Sequence, residues 1–229
     1  SEEEIAVTVG KVDEVVEIEL VNYFIKGNIE LTKVDADYPD NKLTGAVFEV
    51  YADTNGNGEF DKDDELCGEM TELEGGVYQM TELRYGKYFV REKTAPDGFV
   101  LDESVYGVSI EENGKTYTVE NKAGVGFIND AQKGSLKIVK TSSDGKVEGF
   151  SFRVTSADGY DQTFKTDKNG EIFIEGLRIG EYTVSEVSDS ASAGYILPAD
   201  KQATVKTGAT TIVEMHNEFR DTPKTGDDF

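Results

Sequence analysis

The residues of this sequence best suited to chemistry are three side-chain types that occur together twice. Lys33 shares strand parity with Ile29 and Leu31, Glu92 with Tyr88 and Val90, and Asn129 with Val125 and Phe127. Lys140, Glu186 and Asn217 repeat the pattern behind Leu136 and Ile138, Tyr182 and Val184, and Val213 and Met215. Side chains alternate across a strand, so each polar residue falls on a face that is otherwise apolar. Burying a lone charge costs several kcal/mol. The ordinary alternative is a lysine that snorkels from a strand end beside a surface ion pair. The occurrence of all three types in both repeats weighs against it. In an apolar core a lysine loses its proton more easily and a glutamate keeps its own. A neutral amine beside a protonated acid can attack an asparagine carbonyl while the acid shuttles protons. Ammonia leaves and an amide remains, once per molecule.

Positioning these groups is the work of a repeated unit. Asn22, Lys26, Gly27, Ile29, Leu31 and Lys33 recur at identical spacing as Asn129, Lys133, Gly134, Leu136, Ile138 and Lys140. Leu83, Gly86, Tyr88, Val90 and Glu92 recur as Leu177, Gly180, Tyr182, Val184 and Glu186. An Ala-x-x-Gly-aromatic block follows each, ending at Phe99 and Tyr195, and a looser block pairs Gly45, Phe48 and Val50 with Gly149, Phe152 and Val154. Blocks repeated in one order mark tandem domains. The expected boundaries are 28–131 and 134–220, joined by a linker of a few residues that favours a stiff string. Residues 1–26 resemble only the last two strands of such a unit: Ile5 to Val9 and Val15 to Asn22 match Ala203 to Lys206 and Thr211 to Asn217. The chain is therefore expected to begin inside a preceding, truncated repeat. Recurrent Val, Thr, Tyr and Phe in short alternating runs, with abundant Gly, predict an all-β fold of tandem immunoglobulin-like β-sandwiches, elongated end to end.

These blocks resemble the B-type repeats of collagen-binding adhesins and the SpaA-like, prealbumin-like domains of Gram-positive pilins. The resemblance covers nearly the whole chain. It implies a prealbumin-like sandwich in which a first-strand lysine and a last-strand asparagine form an isopeptide bond beside a glutamate. Carried over, it implies Lys33–Asn129 with Glu92 and Lys140–Asn217 with Glu186. Asn22 matches the acceptor position, but its lysine and glutamate would precede Ser1, so it is expected to be unbonded. The second domain departs at Ser190 to Gly194, where the first has Thr94 to Gly98.

The first domain also carries an acidic insert, Asp53 to Glu65. Oxygen-bearing side chains stand at positions 1, 3, 5, 9 and 12 with Gly58 at position 6, the spacing of EF-hand-like loops. The insert resembles the calcium loops of dockerins and of some staphylococcal adhesin repeats. That implies Ca2+ held by Asp53, Asn55, Asn57, Asp61 and Asp64, with Glu59 through its carbonyl. A solvated, Asn-Gly-rich acidic hairpin is the alternative. After Arg220, the run Thr222, Pro223, Lys224, Thr225 and Gly226 resembles the Leu-Pro-x-Thr-Gly signal cleaved by sortases, with Thr222 in place of leucine. It implies sortase as a partner, and linkage through the threonine to peptidoglycan or to pilin subunits.

With 46 acidic against 23 basic residues and a net charge of −23, nucleic acid is not expected as a partner. The single cysteine, Cys67, allows no intrachain disulfide and receives no role. No apolar run is long enough to span a bilayer and no signal peptide opens the chain. The sole histidine, His216, has outward parity, and no Ser/His or Cys/His set is present to support turnover, so an enzyme is not expected. The leading reading is the stalk of a cell-wall-anchored adhesin or pilus subunit outside a Gram-positive cell. A ligand-binding module for a host matrix protein or glycan is the alternative. No Tyr-Pro-Lys sequence marks a pilin linkage lysine; Tyr38-Pro39 is followed by Asp40.

Overall fold

The computed structural model describes residues 6–220, apart from 9 and 14. Among them the regular structure is all β, in two sandwiches. The first contains β1 (Lys26–Asp35), β2 (Val47–Ala52), β3 (Glu65–Glu69), β4 (Thr71–Glu72), β5 (Val77–Arg84), β6 (Gly86–Thr94), β7 (Val105–Ile110), β8 (Thr116–Thr118) and β9 (Phe127–Asn129). One sheet runs β4-β5-β1-β8 with β9 also on β1, and the other runs β3-β2-β6-β7. The second sandwich contains β10 (Lys133–Ser142), β11 (Ser151–Ser156), β12 (Asp161–Lys165), β13 (Glu171–Arg178), β14 (Gly180–Glu186), β15 (Tyr195–Ile196), β16 (Lys201–Val205) and β17 (Thr210–Phe219). Its sheets run β13-β10-β17-β15 and β12-β11-β14-β16.

The alternation read from the sequence is the alternation that is buried. Ile29, Leu31 and Lys33 point inward from β1, and Leu136, Ile138 and Lys140 from β10. Opposite them, Phe48, Val50, Tyr88 and Val90 close the first core, and Phe152, Val154, Tyr182 and Val184 the second. In each sandwich the first strand lies parallel to the last. Lys33 faces Phe127 and Asp35 faces Asn129; Lys140 faces Met215 and Ser142 faces Asn217. The repeated Lys-Gly pair has a steric cause at this crossing. A Cβ on Gly134 would stand 2.2 Å from the Lys206 carbonyl oxygen, and one on Gly27 would stand 2.8 Å from that of Lys115. The repeated tyrosine is tied locally: Tyr88 and Tyr182 donate their hydroxyls to the carbonyls of Arg84 and Arg178, at 2.8 and 3.0 Å.

Two expectations need correction. Val15 to Asn22 forms no strand, and its apolar side chains are exposed, Val15 at 82% and Leu20 at 74%. A strand needs a ladder partner, and no other described segment offers an edge to this one. The companion strand expected at Ile5 to Val9 has both ends outside the described residues. Val125 lies in the turn before β9 instead of on a strand with Phe127 and Asn129. The last strand of the first domain is split into β8 and β9, whereas β17 is continuous over ten residues.

The linker is stitched the same way on the N-terminal side of each domain. Ile25 and Gln132 accept from the N–H groups of Tyr85 and Ile179, and Lys26 and Lys133 from those of Gly114 and Gly208. At the junction between sandwiches, Arg178 grips Asp35 through two bonds of 2.7 Å and reaches Asp37 at 2.9 Å. Its guanidinium lies over the Tyr38 ring, 4.8 Å from the centroid. Burial would raise the Asp35 carboxyl, but its bonds to Arg178 outweigh this and hold it below the ordinary value.

Candidate functional site

The first trio assembles where β1, β6 and β9 meet. Lys33, Glu92 and Asn129 are 0, 4 and 3% exposed. The Lys33 amine abuts Asn129 Oδ1 and also donates to the Phe127 carbonyl at 3.1 Å. Glu92 Oε1 lies 3.6 Å from the amine, and both its oxygens accept from Asn129 Nδ2, at 3.0 and 2.8 Å. The lysine thus touches the acyl side of the amide, and the carboxyl touches the nitrogen that would leave. Burial lowers the pKa of Lys33 from 10.5 to about 8, against the opposing pull of Glu92 and, more weakly, Asp102. An appreciable share of the amine is therefore neutral near pH 8, the form that can attack.

The second trio occupies the same places on β10, β14 and β17, with Lys140, Glu186 and Asn217 at 1, 9 and 0% exposure. The backbone match is close: Ala36 and Ser143 donate to the carbonyls of Asn129 and Asn217, each at 3.0 Å. The side chains differ. Lys140 turns its amine to the Thr141 carbonyl, over the Phe150 ring at 4.3 Å. Glu186 Oε1 accepts from Asn217 Nδ2 at 2.7 Å, while Glu186 Oε2 and Asn217 Oδ1 are buried without a hydrogen-bond partner. Burial lowers the pKa of Lys140 and raises that of Glu186. Each trio is therefore gathered at one core position, but only the first brings amine and amide into contact.

Behind the first trio stands a network that strand parity does not reveal. Asp102, in the loop after β6, donates its backbone N–H to Glu92 Oε2 at 2.9 Å. Its carboxylate accepts from Tyr106 Oη at 2.6 Å and Asn121 Nδ2 at 2.9 Å. Asn121 in turn brackets the backbone of Ile128, next to Asn129, at 2.8 and 2.6 Å. Asp102 and Asn121 lie in loops, which have no period to read, and Tyr106 stands at the start of β7, so nothing in the sequence singled them out. An open cleft of about 240 Å3 lined by Asp102, Asn121 and Asn129 leads to this place.

These two sandwiches match the SpaA prealbumin-like fold domain over residues 27–123 and 134–219. The chain belongs to that family. The SpaA-like chain is also similar to the Bacillus anthracis TIE protein, at 25% identity and a TM-score of 0.63 over 86% of its length. It spans about a third of that protein, 34%. A C-terminal fragment of the pilus adhesin SpaC from Lactobacillus rhamnosus GG matches at 13% identity and a TM-score of 0.52, over 87% of this chain and 99% of that one. The minor pilin GBS52 of Streptococcus agalactiae matches at 16% identity and a TM-score of 0.40, over 88% and 100%. No curated protein matches the sequence.

The acidic insert forms the loop between β2 and β3. It is pinned to the sheet by Phe60, whose ring lies 5.1 Å from that of Tyr51 and 5.8 Å from that of Phe89, and by Lys87, which donates to the Gly58 carbonyl at 2.6 Å. Gly58 takes φ +80°, as the sharp turn at position 6 requires. Asp53 Oδ2 accepts from the Gly58 N–H, Asp64 Oδ2 from the Asp61 N–H, and Asp61 from the Asn55 and Asn57 amides. The Glu59 N–H donates to Asn57 Oδ1. Asp53 Oδ1 and Asp64 Oδ1 are buried without a partner. Among the described residues, no group of three or more His, Cys, Asp or Glu side chains is gathered as a metal cluster. Cys67 is exposed on β3, and His216 faces outward from β17, its Nδ1 2.8 Å from Thr141 Oγ1. Thr222, Pro223, Lys224, Thr225 and Gly226, the run expected to act as a sorting signal, lie outside the described residues.

Proposed function

We propose that this SpaA-like chain is a stalk segment of a Gram-positive surface adhesin or pilus subunit, whose domains cross-link themselves through Lys33–Asn129 and Lys140–Asn217. The observation that carries the reading is the buried contact of the Lys33 amine with Asn129, beside a carboxyl bonded to the nitrogen that leaves. The bond joins the first strand to its parallel neighbour, the last. Load entering one end of a sandwich then passes through a covalent link instead of through the core. Such a closure also contributes about 4–5 kcal/mol by restricting the unfolded chain, by analogy with a loop-closing disulfide. The SpaA family match and the fold shared with the pilus adhesin fragment support the stalk reading. In this reading Thr222–Gly226 directs sortase to join the chain to peptidoglycan or to pilin subunits, which places the protein outside the cell.

Intact mass tests the cross-links. The purified chain should be lighter than its sequence by two ammonia molecules, and Lys33→Ala and Lys140→Ala should each restore one. A mass equal to the sequence sinks the cross-link. The trios are then buried ion pairs, and recognition of a host matrix protein or glycan becomes the better reading.

A second element of the proposal is Ca2+ in the Asp53–Asp64 loop. The orphaned oxygens of Asp53 and Asp64, the first and last ligand positions, favour it. A cation at the loop would satisfy both, with Asn55, Asn57, Asp61 and the Glu59 carbonyl completing an oxygen set that suits calcium. Calcium should raise the melting temperature of the first domain in the wild type and leave Asp53→Ala unmoved. Equal response of the two to calcium, or response of neither, would reduce the loop to a solvated acidic hairpin.

A further inference from the structure

The two trios share residue types, register and burial but differ behind the carboxyl, and the difference has a covalent origin. Glu92 Oε2 receives the Asp102 N–H at 2.9 Å. Asp102 stands three residues past Phe99, the aromatic bridged to Ala131 beyond Asn129. In the second domain the matching aromatic is Tyr195, paired with Phe219 beyond Asn217, and three residues past it stands Pro198. Proline has no N–H to give. The oxygen deprived of a partner there is Glu186 Oε2.

We propose that Asp102 is a positioning residue for amide formation in the first domain, acting through its backbone N–H on Glu92, and that Pro198 withholds this contact from Glu186. The inference rests on the cross-linking reading and adds what governs its rate. In the reaction the neutral lysine Nζ attacks asparagine Cγ. The Nζ–Cγ bond forms, the Cγ–Nδ2 bond breaks, and no electrons are gained or lost. The carboxyl gives its proton to the departing nitrogen and takes one from the attacking nitrogen, so that ammonia leaves. A carboxyl that serves both nitrogens must not swing. Asp102 holds Glu92, and its own carboxylate is held by Tyr106 and Asn121, the latter gripping the strand that carries Asn129. Alignment of this kind is a large part of catalytic rate.

The test follows ammonia loss from each domain by peptide mass over time, after the full-length chain is recovered unreacted in denaturant and diluted into refolding buffer. Asp102→Pro should slow the first bond about tenfold or more, and Asp102→Ala, which keeps the N–H, should slow it less. Pro198→Ala should speed the second bond, a gain that no folding defect can imitate. If the wild type loses two ammonia molecules but neither proline exchange alters a rate, the positioning role is wrong and the cross-links stand. If the wild type loses none, the cross-linking reading fails and takes this inference with it.

Discussion

The first and second trios differ in outcome although their strands are superimposable in register. Lys33 and Lys140 sit two residues before the partner of their asparagine, on parallel strand pairs, inside cores of the same layout. Yet Lys33 meets Asn129, while Lys140 turns to Thr141 and leaves Asn217 Oδ1 bare. Burial and residue type gather a reactive set, but the layer behind it decides whether the set is aimed. In the first domain that layer is Asp102, Tyr106 and Asn121; in the second Pro198 stands between β15 and β16, and Glu186 Oε2 has no donor.

Removing each lysine sharpens this contrast most. Under the proposed cross-links, Lys33→Ala and Lys140→Ala would each open a covalent loop, and each should cost its domain about 4–5 kcal/mol against denaturant. Equal losses mean that both bonds form completely despite their different geometry. A much smaller loss for Lys140→Ala means that the unaimed trio reacts only in part. Next in size is a pH effect in a chain blocked by Asn129→Ala, where Lys33 stays buried as a free amine. Its pKa is lowered from 10.5 to about 8 in the fold. Between those values the unfolded chain binds the extra proton, so stability should rise as pH climbs from about 8 toward 10.5, by about 3 kcal/mol. A wild type cross-linked as proposed has no free amine there, and its denaturant midpoints should show no such slope for the first domain. A flat profile in the blocked chain would mean that Lys33 escapes to water once its bond is denied.

Strand periodicity made most of this architecture legible. Ile29, Leu31 and Lys33 on one face, and Val213, Met215 and Asn217 on another, follow from a period of two, and the core has no other way to use them. The same reading failed for Val15 to Asn22, because periodicity proposes a strand but only a neighbouring edge can accept it. The Asp102 network and the Asp35–Arg178 contact were hidden for a different reason. Both depend on loops and strand ends, where side-chain direction is set by tertiary contacts. Pro198 was plain in the sequence, but its meaning appears only when the lone Glu186 oxygen is set beside the bonded one of Glu92.

The smallest effect tests whether repeat-equivalent positions also share a role at the domain junction. Arg84 and Arg178 follow the same leucine in the repeated tyrosine block. Arg178 binds Asp35, which is 1% exposed and belongs to the strand that carries Lys33, whereas the exposed Arg84 lies over the Phe24 ring at 4.3 Å. Removing Arg178 strands a buried carboxylate, so Arg178→Ala should cost about 2 kcal/mol, with Arg178 partly exposed and Asp37 still paired to Lys133. Arg84→Ala removes only a surface stacking contact and should cost less than about 1 kcal/mol. Because Asp35 lies opposite Asn129, Arg178→Ala should also loosen the junction, seen as a wider spread of distances between labels on the two domains. If both arginines cost the same and the spread does not change, the Asp35–Arg178 pair is an incidental contact and the sandwiches are coupled through Gln132, the Lys133–Asp37 pair and the linker backbone.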